Sequence, residues 1–414
     1  IPGATSRLID FKSYPLGTSS FLYYVCKIVG RGDGVMLVGQ LMLIFACFYA
    51  FNGVMRDNKR FLLAAIIGLG AAIMSFFNVS IRVNNLLVDY LLPLFALGAI
   101  AGITESAKKY HVACLSSIPV LGMLLIIKNT GAFFAIPAFL YLLYAGRVSR
   151  ARQRFTLRML SWMGALLSIA AAFIPLLFWN AHVSSTFANE TSKFHVSLDM
   201  LKGLDIRNLA ALIPDKTSGQ VKTIVDLFFR SVTSLDQLAT QGMLLVNMLA
   251  LVAWLNARFG FGMKWKLLRV LILMDVLMVV YYAGILAFYL VAMPTDEALR
   301  LAGFERYASS MMLFVIGALT LCVSRDVERS LYVQQGEERD YRAFKTLQTK
   351  RIYQGATLAA FAVATLFLMT DLYGMNMLQE NYPNTLPAHA ETVLGDHWAK
   401  DDSSRYLLYA PDTD

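Results

Sequence analysis

Ten apolar runs, each closed off by charged or turn-forming residues, constrain this chain more than any other feature. They lie at 34–55, 60–76, 86–103, 111–127, 131–145, 159–179, 242–256, 268–293, 308–324 and 352–371. About 20 such residues carry an α-helix across a bilayer. In hydrocarbon every backbone N–H and C=O must pair within its own segment, and a helix achieves this. The expectation is an all-α, polytopic transmembrane helical bundle of about ten spans, with interfacial helices in its outer loops. Charged residues make up 16% of the 414-residue chain, against about 25% in ordinary soluble domains. That excludes disorder, a disulfide-stapled secreted module and a plain soluble domain.

The basic residues orient the spans. With residues 1–33 outside and the spans alternating, the inside segments 56–60, 104–110, 147–158, 257–267 and 325–351, with Arg269, hold 21 of the 37 lysines and arginines. The other 16 are spread over more than twice the length. Arg147, Arg150, Arg152, Arg154 and Arg158 give the densest cluster. Cytoplasmic loops carry this excess, so the net charge of +9 marks topology and calls for no nucleic-acid partner. The expected organisation is a first outer loop with an interfacial helix over 1–33, a transmembrane bundle over 34–371 that includes an outer loop at 180–241, and the start of an outer soluble segment at 372–414. The chain opens on Ile and stops soon after a strand-like run at 405–410, so both ends read as cut. Amphipathic stretches at 198–213 and 219–230 predict short helices in the 180–241 loop.

Several chemistries are ruled out. Cys26, Cys47, Cys114 and Cys322 are far apart and the five histidines form no ligand pair, which argues against a zinc site or disulfide framework. No P-loop, Rossmann fingerprint, GxSxG or HExxH is present.

What remains is polar sequence at the outer boundary. Tyr14-Pro15-Leu16-Gly17-Thr18 shapes a turn, since Pro fixes φ and Gly permits a bend. Lys128-Asn129-Thr130-Gly131 interrupts residues 111–145, a stretch of 35 residues. A full hairpin across about 30 Å takes roughly 40 residues at 1.5 Å each, so its tip sits shallow. A lysine there either snorkels to the headgroups or meets a lipid phosphate. Phe304-Glu305-Arg306-Tyr307 marks re-entry from outside, where Arg offers a planar fork to phosphate or carboxylate and Tyr suits the interface. The alternative is an aromatic-belt anchor at Tyr307 with a surface Glu305–Arg306 pair, worth little energetically. Arg82 with Asp89, Lys193 with His195, and Asp10 are further outside candidates. Asp275, within an apolar run, is expected to face a neighbouring helix.

The order and side of these three motifs resemble bacterial multi-pass proteins of the GT-C glycosyltransferase superfamily, which carry Y-P-P-G-T, K-N-[ST]-G and F-E-R-Y. The resemblance covers roughly residues 10–371, and Leu16 departs from it where the pattern has a second Pro. It implies an enzyme of cell-envelope glycan assembly in the plasma (inner) membrane. The donor it implies is a polyprenyl-phosphate sugar, used with or without a divalent cation, and the acceptor is a glycan or lipid. Membrane lipids are the other partners. It places the catalytic acid in the first outer loop, hence upstream of residue 1, with Asp10 as a second choice for the base. Arg306 and Lys128, with Asn129 and Glu305 beside them, would hold the donor phosphate, and Tyr14 and Tyr307 would shape the sugar or lipid pocket. Two other classes stay open. A polysaccharide polymerase or ligase would use the Arg- and His-bearing loop around His195. A lipid or solute transporter would need mid-membrane polar groups and internal repeats, which the nearly charge-free spans do not supply.

Overall fold

The computed structural model describes residues 14–55, 61–76, 81, 83, 85–149, 155–186, 216–331, 344, 346–385, 388–389 and 392. Among these residues the fold is helical, with no strand. The helices are α1 (Gly17–Val29), α2 (Asp33–Phe51), α3 (Phe61–Phe76), α4 (Leu91–Glu105), α5 (Tyr110–Ile127), α6 (Gly131–Ser149), α7 (Phe155–Ala172), α8 (Ile174–Thr186), α9 (Ser218–Thr233), α10 (Leu238–Leu255), α11 (Leu267–Val291), α12 (Phe304–Leu331) and α13 (Leu347–Asn381). Residues 1–362 form one compact unit and 363–414 a second. Of the second, the described residues are mainly the end of α13 and the 3-10 turn Tyr382–Asn384. Most of the segment expected at 372–414 therefore lies outside the described residues.

Each of the ten apolar runs is helical. Among the described residues seven helical stretches are long and apolar enough to cross a membrane, and Phe61–Ser75 adds a shorter apolar one. The chain is a multi-pass membrane protein. One of the seven stretches, Val88–Ile127, covers 40 residues and divides at the 3-10 turn Ser106–Lys109 into α4 and α5, which pack on each other. The expected run 159–179 is two successive helices. Pro175 has no N–H to donate, and the ladder breaks at Phe173, ahead of it. α12 starts at Phe304 and ends at Leu331, beyond 308–324 on both sides, because polar residues continue a helix after apolarity stops.

Two helices form the centre. α12 touches α3, α4, α10 and α11, while α4 touches α2, α5, α6 and α12. In α12, 72% of the most apolar stretch is buried inside the protein, against 17% for the stretch containing α10 and 28% for α11. The outer helices expose Leu244, Leu245, Met248, Ile272, Leu273 and Val276. Against lipid tails that exposure costs little, so the bundle holds together by close packing and by polar contacts between helices. Gly70 of α3 provides the first: a Cβ there would run into the Thr320 side chain of α12. Asp275 provides the second, its Oδ1 accepting from Asn247 Nδ2 at 3.1 Å across the α10–α11 contact, as expected from sequence. At the far end of α12, buried Asp326 accepts from the Lys266 backbone N–H at 2.7 Å and caps the N-terminus of α11. Trp265 Nε1 donates to Ser330 Oγ at 3.1 Å beside it.

α9 lies within the expected loop 180–241 and covers the 219–230 stretch. Thr217 and Gln220 close it with a capping box: Thr217 N–H donates to Gln220 Oε1 at 2.8 Å, and Gln220 N–H donates to Thr217 Oγ1 at 3.4 Å. Lys216 Nζ donates to the carbonyls of Leu290 at 3.1 Å and Met293 at 2.7 Å. A cation there suits the C-terminal end of α11. The 198–213 stretch lies outside the described residues.

Candidate functional site

The site is built around a carboxylate at the start of α4. Asp89 sits in the 3-10 turn Val88–Tyr90. Its side chain is 1% exposed. The strand of loop that delivers it is anchored from α2, where fully buried Gln40 donates from Nε2 to the carbonyls of Asn85 at 2.5 Å and Leu87 at 3.4 Å. Asn85 Oδ1 in turn accepts from the Leu87 N–H at 3.1 Å. From the other side, Ser310 Oγ of α12 lies 3.2 Å from the Asp89 carbonyl and 2.9 Å from the Arg306 carbonyl.

Two cations close on that carboxylate. α5 ends at Ile127, and Lys128 turns extended at φ −162° and ψ 151°. Its Nζ reaches Asp89 Oδ1 at 2.8 Å, with the side chain 15% exposed. Arg306, in the first turn of α12, places Nη2 2.5 Å from Asp89 Oδ2, with the side chain 40% exposed. Both oxygens of one carboxylate are thus engaged. A cation in the first turn of a helix opposes the macrodipole, so Arg306 is held there by Asp89 against local preference. Asp89 is shared between the two cations, and the Glu297 carboxylate lies close enough to act on the neighbouring Tyr14. Glu305 is half-buried and is not the partner of Arg306; the sequence-local pair gives way to one formed 217 positions away.

Aromatic residues frame the cluster. Lys128 Nζ lies 5.1 Å from the centre of the Tyr307 ring, a distance at which a ring face attracts a cation. The Tyr307 carbonyl accepts from Tyr281 OH at 3.1 Å, and the Tyr281 ring packs 4.6 Å from Phe133 of α6. Tyr14, ahead of α1, is half-buried. Burial above all pushes its phenol well up from the usual range, and the nearby Tyr307 hydroxyl and the Glu297 and Asp89 carboxylates push the same way. α1 reaches the cluster because Gly17 has no side chain: a Cβ there would stand 2.7 Å from the Ile126 carbonyl oxygen.

The three sequence motifs therefore meet at one end of the bundle. Each also contributes a hydrogen-bonding atom that is buried without a partner among the described residues: Thr18 Oγ1, Thr130 Oγ1 and Arg306 Nε. Leaving such a group unpaired costs about 1–3 kcal/mol. Proteins rarely keep several unless a ligand or ordered water uses them. A cavity of about 350 Å³ opens beside Gly17, walled by Leu16, Ile126, Pro175 and Phe178, with Trp179 and His182 at its edge. Asn129 is exposed at the hairpin tip, its carbonyl accepting from the Ala132 N–H at 3.3 Å. Asp10 and His195, with Arg82 and Lys193, lie outside the described residues.

Among the described residues no group of three or more His, Cys, Asp or Glu is placed to hold a metal ion. All four cysteines are free thiols. What sequence reasoning missed is the part played by Asp89, considered only beside Arg82, and by Gln40. A lone Gln within an apolar run was the available signal for Gln40. For Asp89 it was an acid at the mouth of a span.

No protein-family model, curated protein or solved structure matches the chain.

Proposed function

We propose that this protein is a membrane-embedded glycosyltransferase of the GT-C kind. On this reading it works at the outer face of a bacterial plasma membrane. It moves a sugar from a polyprenyl-phosphate donor to an envelope glycan or lipid. The observation that carries the proposal is the convergence of Lys128 and Arg306 on Asp89, with one unpartnered buried polar atom in each motif among the described residues.

In this chemistry a carboxylate takes the proton of the acceptor hydroxyl, whose oxygen attacks the anomeric carbon. The bond from that carbon to the phosphate oxygen breaks, and its electron pair leaves with the lipid phosphate. Arg306 and Lys128 would stabilise the growing charge; preorganised cations do this best where water is excluded. Asp89 has both oxygens committed to them, so its role is to set their positions, and the base lies elsewhere; Asp10 remains a candidate. The cavity beside Gly17 would take the first part of the prenyl chain, and Tyr14 and Tyr307 would border the sugar.

The test is transfer itself. Full-length protein in lipid nanodiscs is supplied with polyprenyl-phosphate sugars labelled in the sugar, together with envelope glycan or lipid acceptors. Label moving to acceptor, with release of polyprenyl phosphate in equal amount, supports the proposal. Uptake of donor without loss of its sugar would point to a carrier and defeat it.

A further inference from the structure

A second cavity is lined by Arg306. It is an open cleft with a volume of about 520 Å³, lined by residues of α9, by Gln237 just ahead of α10 and by the turn that leads into α12. Its size suits one or two sugar rings and is far too small for a folded partner. Its place is fixed from several sides. Phe228 of α9 packs its ring 5.5 Å from Phe304 and 6.2 Å from Tyr282. Lys216 ties the start of α9 to the end of α11. Tyr289 OH donates to the Ala302 carbonyl at 2.9 Å and pins the turn. That turn contains Leu301 at φ 48° and Gly303 at φ 76°. A bulky residue in the left-handed region is rare, and persists where surroundings impose it, often at ligand sites.

The wall chemistry is specific. Arg300 and Arg306 both line the cavity, and so does Glu305 between them and the first turn of α12. Arg306 is paired with Asp89, whereas Arg300 and Glu305 have no ion-pair or hydrogen-bond partner among the described residues. Ser231 and Gln237 supply neutral donors and acceptors, and Leu227 and Phe304 supply apolar surface. With Arg306 committed to Asp89, the Arg300 guanidinium is the group that can offer an anion forked hydrogen bonds. A carboxylate, an amide and a hydroxyl beside it accept and donate to ligand hydroxyls. Apolar side chains cover the C–H face that a sugar ring presents.

We propose that this cavity binds a saccharide bearing an anionic group, with the anion at Arg300 and ring hydroxyls at Glu305, Gln237 and Ser231. If the chain transfers sugar as proposed above, the ligand is the acceptor, with Arg306 as the wall shared between donor and acceptor sides; that role rests on the transferase proposal, and the binding site does not. A phosphatidylglycerol headgroup is also an anionic polyol, so the source of the ligand is part of the test.

The experiment measures binding without turnover, by titration calorimetry on full-length protein in phosphatidylcholine nanodiscs. The probes are a disaccharide ending in a uronic acid, the neutral disaccharide of the same linkage, and inorganic phosphate. The acid is expected to bind about tenfold tighter than the neutral sugar, the scale of one added charged hydrogen bond. Arg300→Gln should erase that preference. Arg300 is exposed, so its loss spares the fold. Ser231→Phe, which fills the cavity, should abolish binding of both sugars. Equal binding of acid and neutral sugar overturns the proposal, as does an unchanged preference in Arg300→Gln. Phosphate binding as tightly as the acidic disaccharide overturns the saccharide assignment. Loss of acid binding when phosphatidylglycerol replaces phosphatidylcholine assigns the cavity to a lipid headgroup and likewise overturns it. Binding of the acid by a chain that transfers no sugar leaves the site standing and removes only the transferase.

Discussion

Asp89 and Arg306 stand 217 positions apart in the chain and meet at 2.5 Å across the contact between the start of α4 and the start of α12. Lys128 joins the same carboxylate from the end of α5. Three helix termini are thereby tied at one point. On the proposed function, stability and anion recognition would depend on the same three side chains, and their variants should separate the two.

Asp89→Asn should destabilise the protein and abolish anion positioning together. It leaves two cations facing each other without their countercharge. Removing one partner of a buried pair costs about 3–5 kcal/mol. The low end applies here, since Arg306 is 40% exposed and keeps some solvent screening. Urea unfolding in mixed micelles measures this, and Asp89→Asn combined with Lys128→Met should recover part of the loss. Unaltered unfolding of Asp89→Asn would show that the cluster carries no stability.

Lys128→Met should behave differently. It leaves Asp89 and Arg306 as a balanced pair, so unfolding should shift by less than in Asp89→Asn, which strands two cations. Sugar transfer should fall about a hundredfold, on the scale of losing one preorganised charge-stabilising group. If Lys128 is a headgroup anchor, turnover stays near normal.

Gln40→Leu removes the donor that holds the carbonyls of Asn85 and Leu87. Stranding them should cost about 1–3 kcal/mol. Transfer should drop although Gln40 is assigned no contact with donor or acceptor, because Asp89 loses its fixed approach. Hydrogen exchange should then accelerate over residues 85–90, and unchanged exchange there would remove Gln40 from the account.

Gly17→Val should push α1 away from α5, because the added Cβ stands 2.7 Å from the Ile126 carbonyl oxygen. The expected readout is faster exchange across α1 with the rest of the bundle intact. Tight protection of α1 in the variant would mean that the close approach is not needed.

Sidedness is tested with single cysteines in a background lacking Cys26, Cys47, Cys114 and Cys322. Glu190→Cys and Thr385→Cys should react with an impermeant thiol reagent in intact cells, and Arg154→Cys and Asp340→Cys should not. Labelling at 154 would reverse the topology and place the Asp89 cluster on the inner face.

The helices were legible because each apolar run is a local property: the membrane requirement acts on about 20 consecutive residues. The structure refines two of the expected runs, with a break at Phe173 ahead of Pro175 and with α12 continuing into polar sequence at both ends. The motifs were legible as types, since Arg306, Lys128 and Tyr14 each stand at a boundary where their chemistry is unusual. Their shared partner was not. Asp89 is 39 residues from Lys128 and 217 from Arg306, and no periodicity connects positions brought together by three different helix ends. Glu305 likewise read as part of a surface pair until it is seen to line a cleft with Leu227 and Ser231 of α9.

The most direct test of the central claim is sugar transfer by Arg306→Lys in the full-length protein, measured beside the wild type at saturating labelled donor. The variant keeps the charge and loses the planar fork. If Arg306 grips the leaving phosphate through paired N–H groups, the transfer rate should fall about a hundredfold or more while the protein still folds. A rate within a factor of about two of wild type, the spread expected of a surface charge swap, would contradict the account.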